Sequence, residues 1–295
     1  MRFIGLNGGI VDAAGAVVSV MDHGLLYGMG VFETFRTYQG KPFQLERHLD
    51  RLMDSCRQLG IVHMTDHDGM SRWISELMEA NGLQDAYIRY TVTAGEGLLG
   101  LPLGDYVKPF EILFAKELPV TKEDVYEKGR VMRLLSLPRN TQESPVRMKS
   151  LHYMNNILAK RELEGYPAHP GGPAEGLMLT AGGDVAEGIV SNVFFVKEGH
   201  LYTPDISTGI LPGITRAVVL ELAAELGIEA EEGHYSWEVF SGADEIFTTG
   251  SVQEIVPVTT LVGSGDQSIV IGQGAAGPVT RALQSAYRRK AGYYV

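Results

Sequence analysis

Lys149 lies in Val146-Arg147-Met148-Lys149-Ser150-Leu151-His152-Tyr153-Met154-Asn155-Asn156, where a loop runs into a helix. A lysine amine that is to attack a carbonyl or serve as a general base must be neutral, and burial or neighbouring positive charge makes it so. Three segments follow it in order: Asp184-Val185-Ala186-Glu187-Gly188-Ile189-Val190-Ser191-Asn192, Gly209-Ile210-Leu211-Pro212-Gly213-Ile214-Thr215-Arg216 and Thr249-Gly250-Ser251-Val252-Gln253-Glu254-Ile255. One precedes it, His48-Leu49-Asp50-Arg51-Leu52. Gly213-Ile214-Thr215 opens a long helix, and a helix start offers N–H groups and a partial positive charge to a phosphate. Arg51 adds a planar fork that suits phosphate oxygens. Taken singly, each residue has an ordinary reading: Lys149 as a solvated surface group, Arg51 on a polar helix face, Glu187 in a turn, Leu211 in the core, Thr215 in a first helical turn. The ordered combination carries the information.

The elements that must hold these residues can be read from pattern. Phe3 to Leu6 and Ile10 to Val11 flank Asn7-Gly8-Gly9, a hairpin signature. After the glycine-rich bend Tyr27-Gly28-Met29-Gly30, the run Val31 to Tyr38 is aromatic and β-branched, as strands are. Alternation sets Phe32, Thr34 and Arg36 on one face against Glu33, Phe35 and Thr37 on the other. Apolar spacing of three and four predicts a helix from Leu45 to Leu59, stopped by Gly60, with Cys56 in its buried stripe. A second helix, capped by Asp66, runs to Asn81-Gly82, and strands follow at Ala86 to Thr93 and Phe110 to Ala115. Lys116 to Lys128 is charged, contains Pro119 and lacks periodicity, which marks a linker. Beyond it come a strand at Val131 to Ser136 and a helix from about Leu151 to Leu163. Hairpin-like strands around Gly182-Gly183 and Glu198-Gly199 precede helices at Ile214 to Leu226 and Val279 to Arg289.

The 295-residue chain exceeds the usual single core, and its 44% hydrophobic content is enough to fill two. The expected domains are residues 1–117 and 129–295, joined by a linker at 118–128, with the lysine in the second. A formal charge of -11 disfavours nucleic acid as a partner. No apolar stretch reads as a signal peptide or membrane span, so the expected location is the cytoplasm. One cysteine cannot form an internal disulfide. His63 and His67 have the spacing of a helical metal pair but fall on a predicted loop and cap, so they read as surface residues and no metal is expected.

The four spaced motifs resemble those of fold type IV pyridoxal-phosphate enzymes, which comprise branched-chain and D-amino-acid aminotransferases and aminodeoxychorismate lyases. The resemblance runs from about Asn7 past Pro257. It implies an α/β or α+β two-domain fold, D-amino-acid aminotransferase-like, with a small N-terminal α/β domain and a larger C-terminal one. It implies pyridoxal 5'-phosphate as cofactor, Lys149 as the Schiff-base lysine, Glu187 under the pyridine nitrogen and Arg51 on the phosphate. Leu211 would lie against the ring, Ile214, Thr215 and Ser251 would offer phosphate donors, and Tyr153 would approach the ring hydroxyl. A homodimer is implied as well.

Thr34 leans toward the lyases, which have threonine where branched-chain enzymes have glycine and D-amino-acid enzymes an aliphatic residue. Its hydroxyl could protonate a departing enolpyruvate. Thr91 to Gly100 lacks the Arg and His that D-amino-acid transaminases carry there. The run Met21 to Arg36, with Pro138-Arg139-Asn140-Thr141, is closest to lyases of Gram-positive bacteria. Arg89, in Ala86-Tyr87-Ile88-Arg89, suits either an amino-acid carboxylate or one of the two carboxylates of aminodeoxychorismate. The expected reaction converts 4-amino-4-deoxychorismate to 4-aminobenzoate and pyruvate in folate biosynthesis, with a functional link to aminodeoxychorismate synthase. The alternatives are a D-amino-acid or branched-chain aminotransferase and a non-catalytic cofactor-binding protein.

Overall fold

A computed structural model describes residues 1–120, 122–172 and 174–292 and divides into two compact units. One comprises Met1–Val120 with Met148–His152, the other Thr121–Arg147 with Tyr153–Val295. Thr121, within the expected linker, lies outside the described residues. The expected linker also contains a helical turn, α4 below. The segment around Lys149, expected in the second domain, belongs with the first unit.

The first unit opens with β1 (Phe3–Leu6) and β2 (Gly9–Asp12). Asn7 and Gly8 between them have φ of 45° and 80°, the paired left-handed conformation whose twist matches a two-residue hairpin. Then come α1 (His23–Tyr27), β3 (Gly30–Tyr38), β4 (Lys41–Pro42), α2 (Leu45–Gln58), α3 (His67–Ala80), β5 (Tyr87–Thr93) and β6 (Phe110–Lys116). The six strands form an antiparallel sheet in the order β2-β1-β6-β5-β3-β4. Helices α2 and α3 pack on it through Leu49, Leu52, Cys56, Trp73, Ile74 and Leu77, which share one core with Val31, Phe35, Ile88, Tyr90, Val92 and Leu113. The Asp66 carboxylate accepts from the N–H groups of Asp68 and Gly69, giving α3 the N-cap read from the sequence. Burial pushes the Cys56 thiol up to about 12, so it behaves as an apolar core group.

His63 is not the surface residue expected. Its Nε2 lies 2.6 Å from the Thr65 hydroxyl and 2.9 Å from that of Tyr90, and the Tyr90 hydroxyl donates to Glu111 at 2.6 Å. The loop that enters α3 folds back over β5, a path that local spacing does not reveal.

The second unit carries α4 (Val125–Lys128), β7 (Arg130–Leu134), α5 (Met154–Gly165), β8 (Ala174–Leu179), β9 (Val185–Gly188), β10 (Asn192–Lys197) and β11 (His200–Pro204). It continues with α6 (Ile214–Glu225), β12 (Ala230–Gly233), α7 (Trp237–Ser241), β13 (Glu245–Gly250), β14 (Glu254–Val262), β15 (Ser268–Val270) and α8 (Pro278–Lys290). Its sheet runs β12-β11-β10-β13-β14-β7-β8-β9, with β15 paired to β14. The pairs β11–β12, β14–β7 and β7–β8 are parallel and the others antiparallel. Strand β10 is buried along both faces: Val193 and Phe195 join the core with Phe240 of α7, while Phe194 stacks on Phe247 at 5.1 Å. Helices α6 and α8 pack on each other and against β13. Among the described residues no helix is long and apolar enough to cross a membrane.

Helix α5 starts at Met154, three residues later than its apolar pattern suggests. Ser150 and Leu151 are held extended against β3, where Ser150 bridges Val31 and the Leu151 N–H donates to the Gly30 carbonyl at 3.0 Å. Backbone pairing to a distant strand overrides helix periodicity here.

Phe35 has no exposed surface and sits where β3 meets α2. Phe35→Ala should lower unfolding free energy by about 3–5 kcal/mol, read from urea melts followed by circular dichroism. A loss under about 1 kcal/mol would show that the helices do not depend on that strand for their seat.

Candidate active site

Strand β3 displays chemistry on both faces. Toward the helices, Glu33 is 1% exposed and accepts from His48 Nδ1 at 2.6 Å, Arg51 Nε at 2.8 Å and Arg51 Nη2 at 2.7 Å. His48 and Arg51 are three residues apart on α2, so both reach the same carboxylate. Burial alone would raise the pKa of Glu33, but the Arg51 guanidinium and the His48 ring hold it at about 2. His48 is pushed below its ordinary range, chiefly by burial and against the pull of Glu33. Near neutral pH the set is therefore one carboxylate, one guanidinium and a neutral imidazole that donates through Nδ1.

The opposite face of β3 carries Phe32 and Thr34. Thr34 stands across from Arg89 of β5. The Arg89 guanidinium lies 3.6 Å from the centroid of the Phe32 ring, and Lys149 Nζ lies 4.9 Å from it, so both basic side chains gather on one aromatic ring. Lys149 is pinned there by its own backbone, since its carbonyl accepts from the Phe32 N–H at 2.9 Å. Glycine makes the approach possible. A Cβ on Gly30 would come within 2.8 Å of Leu151 Cδ1, and one on Gly28 within 2.4 Å of the His152 ring. This is the physical content of the Gly28-Met29-Gly30 bend.

In the second unit, Glu187 of β9 is 5% exposed. It accepts from Arg139 Nε at 2.7 Å, from the Leu211 N–H at 3.0 Å and from Asn192 Nδ2 at 3.3 Å. Asn192 also donates to the Leu211 carbonyl at 2.9 Å. A Cβ on Gly213 would stand 2.0 Å from Asn192 Oδ1, so only glycine lets the entry to α6 close on Asn192. Gly213 is the N-cap of α6 and supplies no side-chain cap to the first N–H groups of that helix. Beside them, the Thr215 and Ser251 hydroxyl oxygens lie 3.4 Å apart.

Pyridoxal 5'-phosphate, implied by the motif resemblance, asks for an anion cradle, an acceptor for a ring N–H and a lysine. The uncapped start of α6 with two hydroxyls fits the first. A carboxylate offers about four lone-pair sites; Glu187 uses three on the protein and has capacity for one more donor. In the first unit, Lys149 is the amine that the resemblance implies. The residues present fit the group.

Of the residues expected from sequence, the structure gathers Lys149, Thr34 and Arg89 on one sheet face. Glu187, Leu211, Ile214, Thr215 and Ser251 follow one another along a short path in the second unit, and Tyr153 stands at the N-cap of α5. Arg51, expected on the phosphate, gives the Nε and Nη2 edge of its fork to Glu33. Four residues given no role from sequence now have one: Glu33 and His48, which hold Arg51, and Arg139 and Asn192, which hold Glu187. The i, i+3 spacing of His48 and Arg51 opposite a strand glutamate was a signal for the first pair. Nothing local identifies Arg139 as a partner of Glu187, 48 residues away.

Residues 30–261 match the family model described as amino-transferase class IV. Aminodeoxychorismate lyase of Bacillus subtilis is 39% identical over 289 residues, covering 97% of this chain and 93% of that protein. A putative branched-chain-amino-acid aminotransferase of Methanocaldococcus jannaschii is 40% identical over 283 residues, covering 96% and 94%. The solved 4-amino-4-deoxychorismate lyase of Pseudomonas aeruginosa superposes with a TM-score of 0.83 at 31% identity, covering 97% of this chain and 98% of that one.

The Glu33 set makes stability depend on pH in a known direction. A carboxylate held at about 2 against an ordinary 4.5 contributes fully above the ordinary value and loses that contribution as pH falls toward 2. Burying His48 neutral acts in the same sense. Glu33→Gln should cost about 3 kcal/mol at neutral pH, and the gap to the parent should close between pH 4.5 and 2. Urea melts across that range test it; a gap independent of pH would mean that the carboxylate charge is not what stabilises the fold.

Proposed function

The chain belongs to the amino-transferase class IV family, and from that premise we propose that it is a pyridoxal-phosphate lyase that converts 4-amino-4-deoxychorismate to 4-aminobenzoate and pyruvate. The observation that carries this reading is the position of Thr34, whose hydroxyl shares a sheet face with Lys149 and Arg89. Similarity to the lyases of Bacillus subtilis and Pseudomonas aeruginosa supports it.

Bound pyridoxal 5'-phosphate supplies a carbonyl that condenses with amines and a ring that accepts the electrons released when a bond at the substrate carbon breaks. Lys149 Nζ would hold the cofactor and would serve as the base for the proton on the substrate carbon that bears the amine. Glu187, whose Oε1 accepts only from Arg139, would accept the pyridine N–H and keep that nitrogen protonated. The N–H groups of Ile214 and Thr215, with the Thr215 and Ser251 hydroxyls and Arg51, bind the phosphate. Leu211, its backbone fixed by Glu187 and Asn192, would pack on the ring, and Tyr153 would serve the ring hydroxyl. Arg89 binds a substrate carboxylate, and the Thr34 hydroxyl delivers a proton to the enolpyruvate as it leaves. Aromatisation of the six-membered ring makes the step effectively irreversible. A homodimer working alongside the synthase that makes its substrate belongs to the same proposal, and sedimentation of the purified protein tests the assembly.

A second reading, a branched-chain or D-amino-acid aminotransferase, is favoured by the 40% identity to the Methanocaldococcus protein. It would use the same cofactor residues with Lys149 moving the proton, and Arg89 would hold an amino-acid carboxylate. Purified protein should therefore receive enzymatically generated aminodeoxychorismate and, separately, leucine or D-alanine with 2-oxoglutarate. We expect 4-aminobenzoate and pyruvate, lost in Lys149→Ala and lowered about 100-fold or more in kcat by Thr34→Val. Glutamate without 4-aminobenzoate would establish the aminotransferase instead. Neither product from a protein carrying bound cofactor would indicate a non-catalytic binder.

A further inference from the structure

Arg139 is buried, 8% exposed, and no step above uses it. Besides its 2.7 Å bond to Glu187, its Nη1 donates to Asn155 Oδ1 at 2.8 Å, Asn140 Oδ1 at 3.0 Å and Asn156 Oδ1 at 3.4 Å. These asparagines are anchored in turn: Asn155 Nδ2 donates to the Pro138 carbonyl at 3.0 Å and Asn156 Nδ2 to that of Ile189 at 2.5 Å. Asn140 Oδ1 also accepts from Arg147 Nη1 at 3.3 Å, and Arg147 donates to the carbonyls of Asn140 and Gly209. Arg147 is itself buried, stands two residues before Lys149, and reaches the turn that leads into α6. A single hydrogen-bonded net thus runs from the Glu187 carboxylate through the start of α5 to the loop whose chain continues into the lysine segment.

We propose that Arg139 is a positioning residue that fixes the charge and direction of Glu187 and so sets how firmly the pyridine nitrogen of the cofactor is held protonated. The proposal rests on the assignment of Glu187 to that nitrogen and goes beyond it, because it is indifferent to which reaction follows. The physical reason is that a carboxylate out of water keeps its charge only beside a cation. Leu211 and Asn192 donate to Glu187 but bring no charge; Arg139 brings one. Its planar fork also fixes direction, since Nε serves the carboxylate while Nη1 is tied to three asparagines. In Arg139→Met the buried acid would lose the cation hydrogen-bonded to it, keeping only the charge of Arg147 nearby, and would favour a protonated ring less.

The test uses the full chain loaded with pyridoxal 5'-phosphate. Parent, Arg139→Met, Arg139→Lys, Glu187→Gln and the Arg139→Met/Glu187→Gln double variant are compared by cofactor dissociation constant from equilibrium dialysis and by the pH midpoint at which the visible band changes. Arg139→Met should weaken cofactor binding about 10-fold or more and displace the midpoint by roughly half a pH unit or more. Arg139→Lys should move it less and in the same sense. Added to Glu187→Gln, Arg139→Met should produce no further displacement, because the effect passes through that carboxylate. An unmoved midpoint in Arg139→Met, or an equal displacement in the Glu187→Gln background, would overturn the proposal. Should Arg139→Met fail to fold, Arg139→Lys alone decides by the same midpoint criterion. A parent that shows the visible band but forms no 4-aminobenzoate would refute the lyase reading while leaving this test intact.

Discussion

A carboxylate removed from water needs a cation beside it, and two places in this chain are built around that requirement. Glu33 is matched by Arg51 and Glu187 by Arg139, each through a guanidinium nitrogen within 2.8 Å. Ion pairs of this kind are poor devices for adding stability, because desolvation offsets much of the attraction. Their value lies in direction. Glu33 brings Arg51 and His48 of α2 to a fixed position over β3, and Glu187 draws in the Leu211 N–H and Asn192, which set the entry to α6. Removing either acid would leave a buried cation without its carboxylate, so helix placement and site geometry depend on the same few bonds.

The period of the β-strand divides this work. Because neighbouring side chains point to opposite faces, Glu33 can serve the packed interior while Thr34, one residue on, serves the face that holds Lys149 and Arg89. A slip of one residue in the pairing of β3 with β5 would exchange the two roles, setting an acid among the cations of Phe32 and a threonine beneath Arg51. The register is guarded from both sides, by the core residues Val31 and Phe35 on one face and by the backbone bonds from Phe32 and Gly30 to the lysine segment.

Local order explains what the sequence disclosed. Helices α2, α3, α6 and α8 declared themselves by apolar spacing and by Asp66 or Gly213 at their starts, and β3 by its composition and alternation. Whatever depended on contact between distant segments was hidden. The residues from Lys149 to Leu151 look like the first turn of α5 because Leu151 is in phase with that helix, yet strand pairing with residues 30–32 holds them extended. Arg139 lies on a loop and Glu187 on β9, and His63 looks exposed until Tyr90 is placed beneath it. Motif resemblance named the residues expected at the cofactor but was silent on the groups that hold them, since those partners come together only through the sheet.

Lyase and aminotransferase pose the same demand on most of this site, which explains why relatives of both kinds match the chain at 39% and 40% identity. Both need a lysine to move one proton, a fixed carboxylate and a phosphate cradle, so those residues cannot report which reaction occurs. Choice between reactions falls to the step after proton removal: an aminotransferase must return a proton and release a keto acid, whereas a lyase must expel a second fragment as an oxygen leaving group. Only the second benefits from an acid near that oxygen. Thr34 is a hydroxyl on the face that carries Lys149, flanked by the cation of Arg89, and a glycine or aliphatic side chain there could donate no proton. Discrimination in this family can thus rest on one strand position whose replacement leaves the cofactor residues untouched.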